Sequence, residues 1–322
     1  MSENNKNVLG ILPHSIGGRL TISSVFDGFR QNGFEVEVFD ELKQENFLDF
    51  IKEKNYEYLI GYDFSGLKLK VDNNLDVKTV NYFSDVIESK ASGVQEEWEK
   101  YLPYLSENGN YTFYWDRELA EQSKIKNLFY MPHFVNMEIY KDLGLEKEYD
   151  VMFAGRLDTE ERLNFFVDLM KEFSNLKFAW YAIEKHYQDA LSRTEEKELL
   201  TQAYKGFIDN EQDMAIALNK AKIVYNINAQ GLTSLNYRTI QTLACKTLLI
   251  SDFRAEVGLM KGYMPYYVDF EDLVSKIKYF LNNDMAMQSA LNHCYEIVHS
   301  NHNSENCVKG ILRVMGLSHI HN

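Results

Sequence analysis

At 322 residues, 45% hydrophobic and 14% aromatic, the chain is long enough for two α/β lobes of about 150 residues each and too apolar to be read as disordered. A formal net charge of −14 and an isoelectric point near 5.1 argue against the broad basic face that coats nucleic acid or a membrane surface, while leaving room for a local basic pocket for one small anion. Cys245, Cys294 and Cys307 lack metal-ligand spacing, the start lacks a signal-peptide pattern, and no apolar run approaches the roughly 18 residues of a membrane span, so a cytoplasmic protein with free thiols is expected.

A strand over residues 8–13 runs into the turn-rich His14-Ser15-Ile16-Gly17-Gly18. A helix over 20–32 follows, with Ile22, Val25, Phe26 and Phe29 at helical spacing. Gly33 ends it, and residues 34–39 alternate apolar and charged as a strand does. A helix over 46–54 and strands over 58–62 and 80–83 come next, the latter ending at Ser84-Asp85. Strands over 112–115 and 128–131, with a helix over 118–124 between them, complete a first lobe spanning 1–135. Residues 136–149 are polar and read as the connection between lobes.

The pattern then restarts in a second lobe over 150–300. A strand over 150–155, a helix over 161–173 and a strand over 177–183 precede a charged helical stretch over 193–204 and Gly206-Phe207-Ile208. A helix over 211–221, a strand over 223–227, a helix over 235–245 and a strand over 247–251 follow, then helices over 270–282 and 285–299. Residues 301–322 are read as a terminal helix packing back on the first lobe. Strands alternating with helices at this spacing make the expected fold α/β, with two Rossmann-like lobes facing a cleft.

The richest segment for chemistry is QGLTSLNYRTIQTLACKTLLISD, residues 230–252. Thr233 or Ser234 is a candidate N-cap. On the helix that follows, Ser234, Arg238 and Gln241 share one face, and Ile240, Leu243 and Ala244 the other. Free N–H groups and the dipole favour an anion at such a helix start, and Arg238 adds donors matched to phosphate oxygens. The competing reading is an ordinary amphipathic helix whose arginine faces solvent.

"LNYRTIQTLACKTLLISDF" resembles the R-x-x-E-x-L-A-C-G-x-x-L-[IL]-[ST]-D segment of the CgeB-like glycosyltransferases, relatives of the group 1 glycosyltransferases. "YDVMFAGRLDTEER" resembles the strand and loop that open the donor lobe of that family, and "YKGFIDNEQDMAIALNKAKIVYNIN" its turn, helix and strand ending in Asn. "KNLFYMPHFVNMEIY" and "VNYFSD" are similar to first-lobe segments, so that the resemblance runs in order from about residue 80 to 315. It implies the GT-B architecture, with a nucleotide-sugar donor site in the second lobe.

By this resemblance Arg156 approaches the donor diphosphate, Arg238 does likewise or contacts the transferred sugar, backbone groups at Phe207 and Ile208 hold the base, and Asn228, Ser234 and Asn236 complete the donor set. Gln241 stands where the family has a ribose-binding Glu, and Lys246 where it has Gly. An amide still bonds a diol, without the charge-assisted strength of a carboxylate.

The implied activity moves a sugar from a nucleotide-diphosphate sugar to a hydroxyl of a glycan, lipid carrier or protein. Two arginines and a helix N-terminus would stabilise the charge that develops on the departing diphosphate. No DxD motif is evident, so no metal and no cofactor beyond the sugar nucleotide is expected. If configuration inverts, a base must take the acceptor proton. His14, after the first strand, and Asp85, at another strand end, are the candidates, beside the acceptor-side Gly17-Gly18. A backbone-satisfied His, an N-cap Asp and a plain tight turn are the bland alternatives. His133 is expected to serve packing. His293, Cys294, His299, His302 and Cys307 match no common zinc spacing. The rival functions are a GT-B-shaped binding protein without turnover and a nucleotide-sugar epimerase on the same fold.

Overall fold

The computed structural model describes residues 7–43, 46–84, 94–228 and 232–317. The chain divides into two compact units. The first comprises Met1–Asn136, Gln230–Ser234 and Asn301–Asn322, and the second Met137–Ala229 and Leu235–Ser300.

The first unit runs β1 (Asn7–Leu12), α1 (Ile16–Gln31), β2 (Glu35–Asp40), α2 (Phe47–Ile51), β3 (Tyr58–Tyr62), α3 (Ser65–Asp72), β4 (Lys78–Phe83), α4 (Val94–Leu105), β5 (Asn110–Tyr114), α5 (Arg117–Gln122) and β6 (Leu128–Tyr130). Its strands form one parallel sheet in the order β2-β1-β3-β4-β5-β6. All five residues of β3 are buried, as a strand covered by helices on both faces requires.

The second unit runs β7 (Tyr149–Ala154), α6 (Glu160–Glu172), β8 (Phe178–Tyr181), α7 (Glu184–Ser192), α8 (Lys197–Ala203), α9 (Glu211–Asn219), β9 (Ala221–Asn226), α10 (Tyr237–Ala244), β10 (Leu248–Asp252), β11 (Tyr266–Tyr267), α11 (Phe270–Leu281) and α12 (Asp284–Asn301). Its parallel sheet has the order β11-β10-β9-β7-β8, over a core that includes Trp180, Phe166, Phe153 and Leu163.

The last helix, α13 (Ser304–Val314), belongs to the first unit and lies on α1. Asn32 donates to the Glu305 carbonyl (3.0 Å), Ser304 donates to Gln31 Oε1 (2.7 Å), and the His302 ring meets the His133 carbonyl (2.9 Å).

Several local expectations are corrected. The first helix begins at Ile16, so Gly17 and Gly18 form its first turn rather than a loop; Ser15 is the N-cap and accepts from the Gly18 N–H. The stretch 193–204 is not one helix. It begins just after α7 with a turn, where the Thr194 hydroxyl takes the Glu196 N–H and Arg193 turns back onto Asp189 and the Leu157 carbonyl, and only Lys197–Ala203 (α8) is helical. The helix carrying Arg238 starts at Tyr237, not near 235. Its cap is Asn236, whose Oδ1 accepts from the Thr239 N–H at 3.0 Å, in place of Thr233 or Ser234. Helices α3, α4 and α7 and the two-residue β11 lie in stretches where the periodicity predicts no element.

Candidate functional site

In a parallel sheet the carboxyl ends of all strands, with the loops that follow, gather at one edge, and ligands of such folds bind there. In the second unit that edge is built from the ends of β7, β9 and β10 and the start of α10.

After β7 the chain turns through Gly155, Arg156 and Asp158 into α6, capped by the Thr159 hydroxyl. Arg162, nine-tenths buried, holds this loop: it donates to the Arg156 carbonyl (3.3 Å), to Asp158 Oδ1 (3.2 Å) and to the Ile227 carbonyl at the end of β9 (2.8 Å). Arg156 itself is presented outward, its side chain 51% exposed and its Nε 3.4 Å from Asp158 Oδ2. His186 of α7 belongs to the same neighbourhood; burial first, and then the Arg156 charge, lower its pKa.

The end of β9 is a polar lattice. Asn226 donates to Ser251 (2.8 Å) and accepts from Asn236 (3.0 Å), which ties the cap of α10 to the strand. Asn228 donates both its main-chain N–H (2.8 Å) and its side-chain amide (2.7 Å) to Asp252 Oδ1. The buried Asn228 Oδ1 has no hydrogen-bond partner among the described residues. Arg254 closes the bracket, with Nε 3.3 Å from Asp252 Oδ2 and Nη2 donating to the Asn228 carbonyl at 3.3 Å.

On α10, Arg238 is partly exposed and donates to Gln241 Oε1 (2.8 Å), while Gln241 donates its amide to the Tyr140 hydroxyl (2.5 Å). Gln241 is 1% exposed, so both ends of its amide are used inside the protein. Burial lowers the Arg238 pKa and raises that of Tyr140. Phe207, 45% exposed, and Ile208 follow Gly206, whose carbonyl accepts from the Ala182 N–H (3.0 Å) just beyond β8.

Ser234 does not share a helix face with Arg238 and Gln241. It is buried in the first unit, where its hydroxyl accepts from the Arg117 N–H (3.2 Å). The fully buried Asp116 takes three successive main-chain N–H groups on Oδ2, from Leu232 (2.7 Å), Thr233 (3.1 Å) and Ser234 (3.3 Å), and caps α5 with Oδ1. This carboxylate fills a concave run of donors of the kind that binds anions.

At the carboxyl edge of the first sheet the His14 side chain is 70% exposed and its Nδ1 lies 3.2 Å from Glu41 Oε2. Beside it Arg19 grips Asp40 through two bonds of 2.8 and 2.7 Å, which hold that carboxyl down to about 2. Asp85 lies outside the described residues. His133 is buried against Trp115 with its Nδ1 3.2 Å from the Tyr82 hydroxyl.

The structure therefore brings Arg156, Asn228 and Asn236 to one sheet edge and turns Gln241 inward. Arg162, His186, Asp252 and Arg254 were missed in the sequence. "ISDFR", with an acid and an arginine directly after a strand, was the one local signal for the last two. Among the described residues no group of three or more His, Cys, Asp or Glu side chains is placed to hold a metal ion, and no helix is long and apolar enough to cross a membrane.

Residues 161–313 match a family model described as glycosyl transferase-like. No curated protein matches the chain. Among solved structures, the chain is similar to sucrose-phosphate synthase from Thermosynechococcus elongatus, with a TM-score of 0.70 and 11% identity over 97% of this chain and 98% of that one. A glycosyltransferase from Rickettsia africae ESF-5 gives a TM-score of 0.67 at 14% identity, with 97% and 98% of the two chains covered. Anabaena Alr3699/HepE, solved in complex with UDP and glucose, gives 0.70 at 10% identity, with 96% and 99% covered. At these identities the likeness is one of fold, and the fold is GT-B: two α/β units, each with a parallel sheet.

Proposed function

We propose that this chain, whose residues 161–313 match the glycosyl transferase-like model, transfers a sugar from a nucleotide-diphosphate donor to a hydroxyl of a glycan, lipid carrier or protein, as a CgeB-like enzyme of the group 1 type. The observation that carries the reading is the outward guanidinium of Arg156 at the carboxyl edge of the second unit's sheet. Arg156 stands outward there on a loop that Arg162 fastens to β9, and Arg254 brackets the neighbouring strand end. Fixed guanidinium groups placed where a diphosphate departs stabilise charge as it develops, without reorganising at the moment of reaction. Such groups would do the work that a metal ion does elsewhere, so the transfer is proposed to be metal-independent. Phe207 and Ile208 are proposed to receive the base, and Asn228 and Asn236 the sugar or ribose hydroxyls. UDP-hexoses are the first donors to try, since a protein of the same fold is known with UDP and glucose.

One observation favours a second reading, binding without turnover. Gln241 is locked between Arg238 and Tyr140, and its amide faces the protein interior. A panel of UDP-, GDP-, TDP- and CMP-sugars read by thermal shift and by release of nucleotide separates the two. A ligand that binds the native state raises its melting temperature in either case. Turnover that falls in Arg156→Ala supports the transferase, whereas shifts without turnover across the panel support the binding protein.

A further inference from the structure

The second unit has a concavity at the edge of its sheet opposite the one that carries Arg156. A cavity of about 320 Å3 opens between the starts of β7 and β8, the end of α6 and the end of α8, a size that holds a small ligand. Its walls follow from local periodicity. Met170 and Phe173 stand three apart in the last turn of α6, and Leu199, Gln202 and Ala203 share one face of α8 at i, i+3 and i+4. Tyr149 begins β7, and Phe178 begins β8.

The lining is aromatic within and cationic in charge. Three rings, those of Tyr149, Phe173 and Phe178, and the thioether of Met170 face the cavity, and aromatic edges and a polarisable sulfur are favourable neighbours for a further ring. In a chain with 48 acidic and 34 basic residues, the charged side chains among the described lining residues are two lysines, Lys177 and Lys205, and no acid. The acids beside them are held by other groups. Asp150 accepts from Lys222 (2.7 Å) and from the Lys177 main-chain N–H (2.8 Å), Glu172 accepts from Lys278 (2.6 Å), and Glu148 meets Lys220 (2.9 Å). Lys205 donates to the Gln202 carbonyl (2.8 Å) at the end of α8 and stands 5.9 Å from the centre of the Tyr149 ring. An ammonium has three donors, so this bond leaves Lys205 with capacity for an anion.

We propose that this cavity is a binding site for a small aromatic carboxylate of one or two rings. The ring system lies among Tyr149, Phe173, Phe178 and Met170, and the carboxylate accepts charge-assisted bonds from Lys177 and Lys205. Lysine stems also cover apolar surface with no ligand present, and a cavity of that kind would take a neutral ring as well as an acid. Charge selectivity is therefore what separates a ligand site from a plain surface hollow. The site uses no residue of the Arg156 edge and stands apart from the transferase reading.

The test measures binding to the full chain by calorimetry and ligand-observed NMR, with benzoate and 2-naphthoate as probes and benzamide and 2-naphthamide as their uncharged counterparts. The carboxylates are expected to bind at least about tenfold more tightly than the amides, the step that a charge-assisted bond supplies. Lys177→Gln and Lys205→Gln, both at exposed positions, should each weaken the carboxylates several-fold, and together they should remove the preference over the amides. Lys126→Gln, at an exposed lysine of the first unit, and Arg156→Ala should bind the probes as the wild type does. Equal affinity for acid and amide, or a double lysine variant within about two-fold of the wild type, overturns the proposal. So does the absence of binding by either acid at millimolar concentration, or a loss in Arg156→Ala that matches the loss in the lysine variants.

Discussion

Gly28 of α1 and Val308 of α13 approach so closely that a Cβ on Gly28 would lie 2.3 Å from Val308 Cγ2 and 2.5 Å from the Ser304 carbonyl oxygen. The glycine is what allows the last helix of the chain to lie down on the first. In an exposed helix, alanine in place of glycine stabilises by about 1 kcal/mol. At Gly28 the overlap with main-chain oxygen outweighs that gain, and Gly28→Ala is expected to lose about 1–3 kcal/mol. Gly17, in the first turn of the same helix, has nothing within 4 Å of its absent Cβ. Gly17→Ala is the control and should be neutral or slightly stabilising. Denaturant unfolding of both variants checks the pair.

His133 is expected to make the protein acid-sensitive. Burial, reinforced by His302, pushes its imidazole down to about 3, and burial lowers His302 as well. Below the unfolded value near 6.5 the unfolded chain binds a proton that the folded chain refuses. Stability is therefore full above that value and is lost as pH falls toward the folded pKa, by at most about 1.4 kcal/mol per pH unit for each such group. Between pH 6 and 4 the fall in unfolding free energy should be shallower in His133→Phe than in the wild type, whatever the variant's absolute stability. An identical slope would count against this assignment.

Arg156 and Arg162 sit six residues apart and should fail in opposite ways. Arg156→Ala removes an outward guanidinium paired only loosely with Asp158, so the melting temperature should stay near the wild type while nucleotide-diphosphate binding weakens. Arg162→Ala strips donors from the Ile227 and Arg156 carbonyls and should destabilise the second unit by about 1–3 kcal/mol. Calorimetry with and without UDP measures both effects in one experiment.

Gln241→Glu would give Arg238 a carboxylate at the place where it now meets an amide oxygen 2.8 Å away. Tyr140, which now accepts from Gln241, would reverse and donate. An ion pair at a partly buried arginine holds the new carboxyl below its usual pKa. Its stabilisation is therefore present above about pH 4 and lost as pH falls through the lowered value. A rise in melting temperature at pH 7 that vanishes near pH 3 is the expected outcome.

Much of the fold was legible because its signals are local. Runs such as Tyr58-Leu59-Ile60 and Val151-Met152-Phe153, set between amphipathic stretches, mark buried parallel strands by period and length alone. Helices α3, α4 and α7 are not legible by period: α3 and α7 have only eight and nine residues, and α4 carries Pro103 within it. The tight turn from β3 into α3 depends on Gly61 meeting Gly66, and sequence spacing does not reveal that contact.

The candidate site divides along the same line. That arginines and asparagines follow the strands of the second unit is a property of the sequence itself, since a parallel sheet must bring strand ends to one edge. Which of those groups face outward was decided by partners distant in the chain. Ile227 holds Arg162 and so leaves Arg156 exposed, Asn226 fixes Asn236 as the cap of α10, Asp116 keeps Ser234 away from that helix, and Tyr140 draws Gln241 inward. The physical reason is that a buried polar group must find a hydrogen-bond partner. Local sequence sets the groups on offer, and only the packed chain determines which partner each one meets.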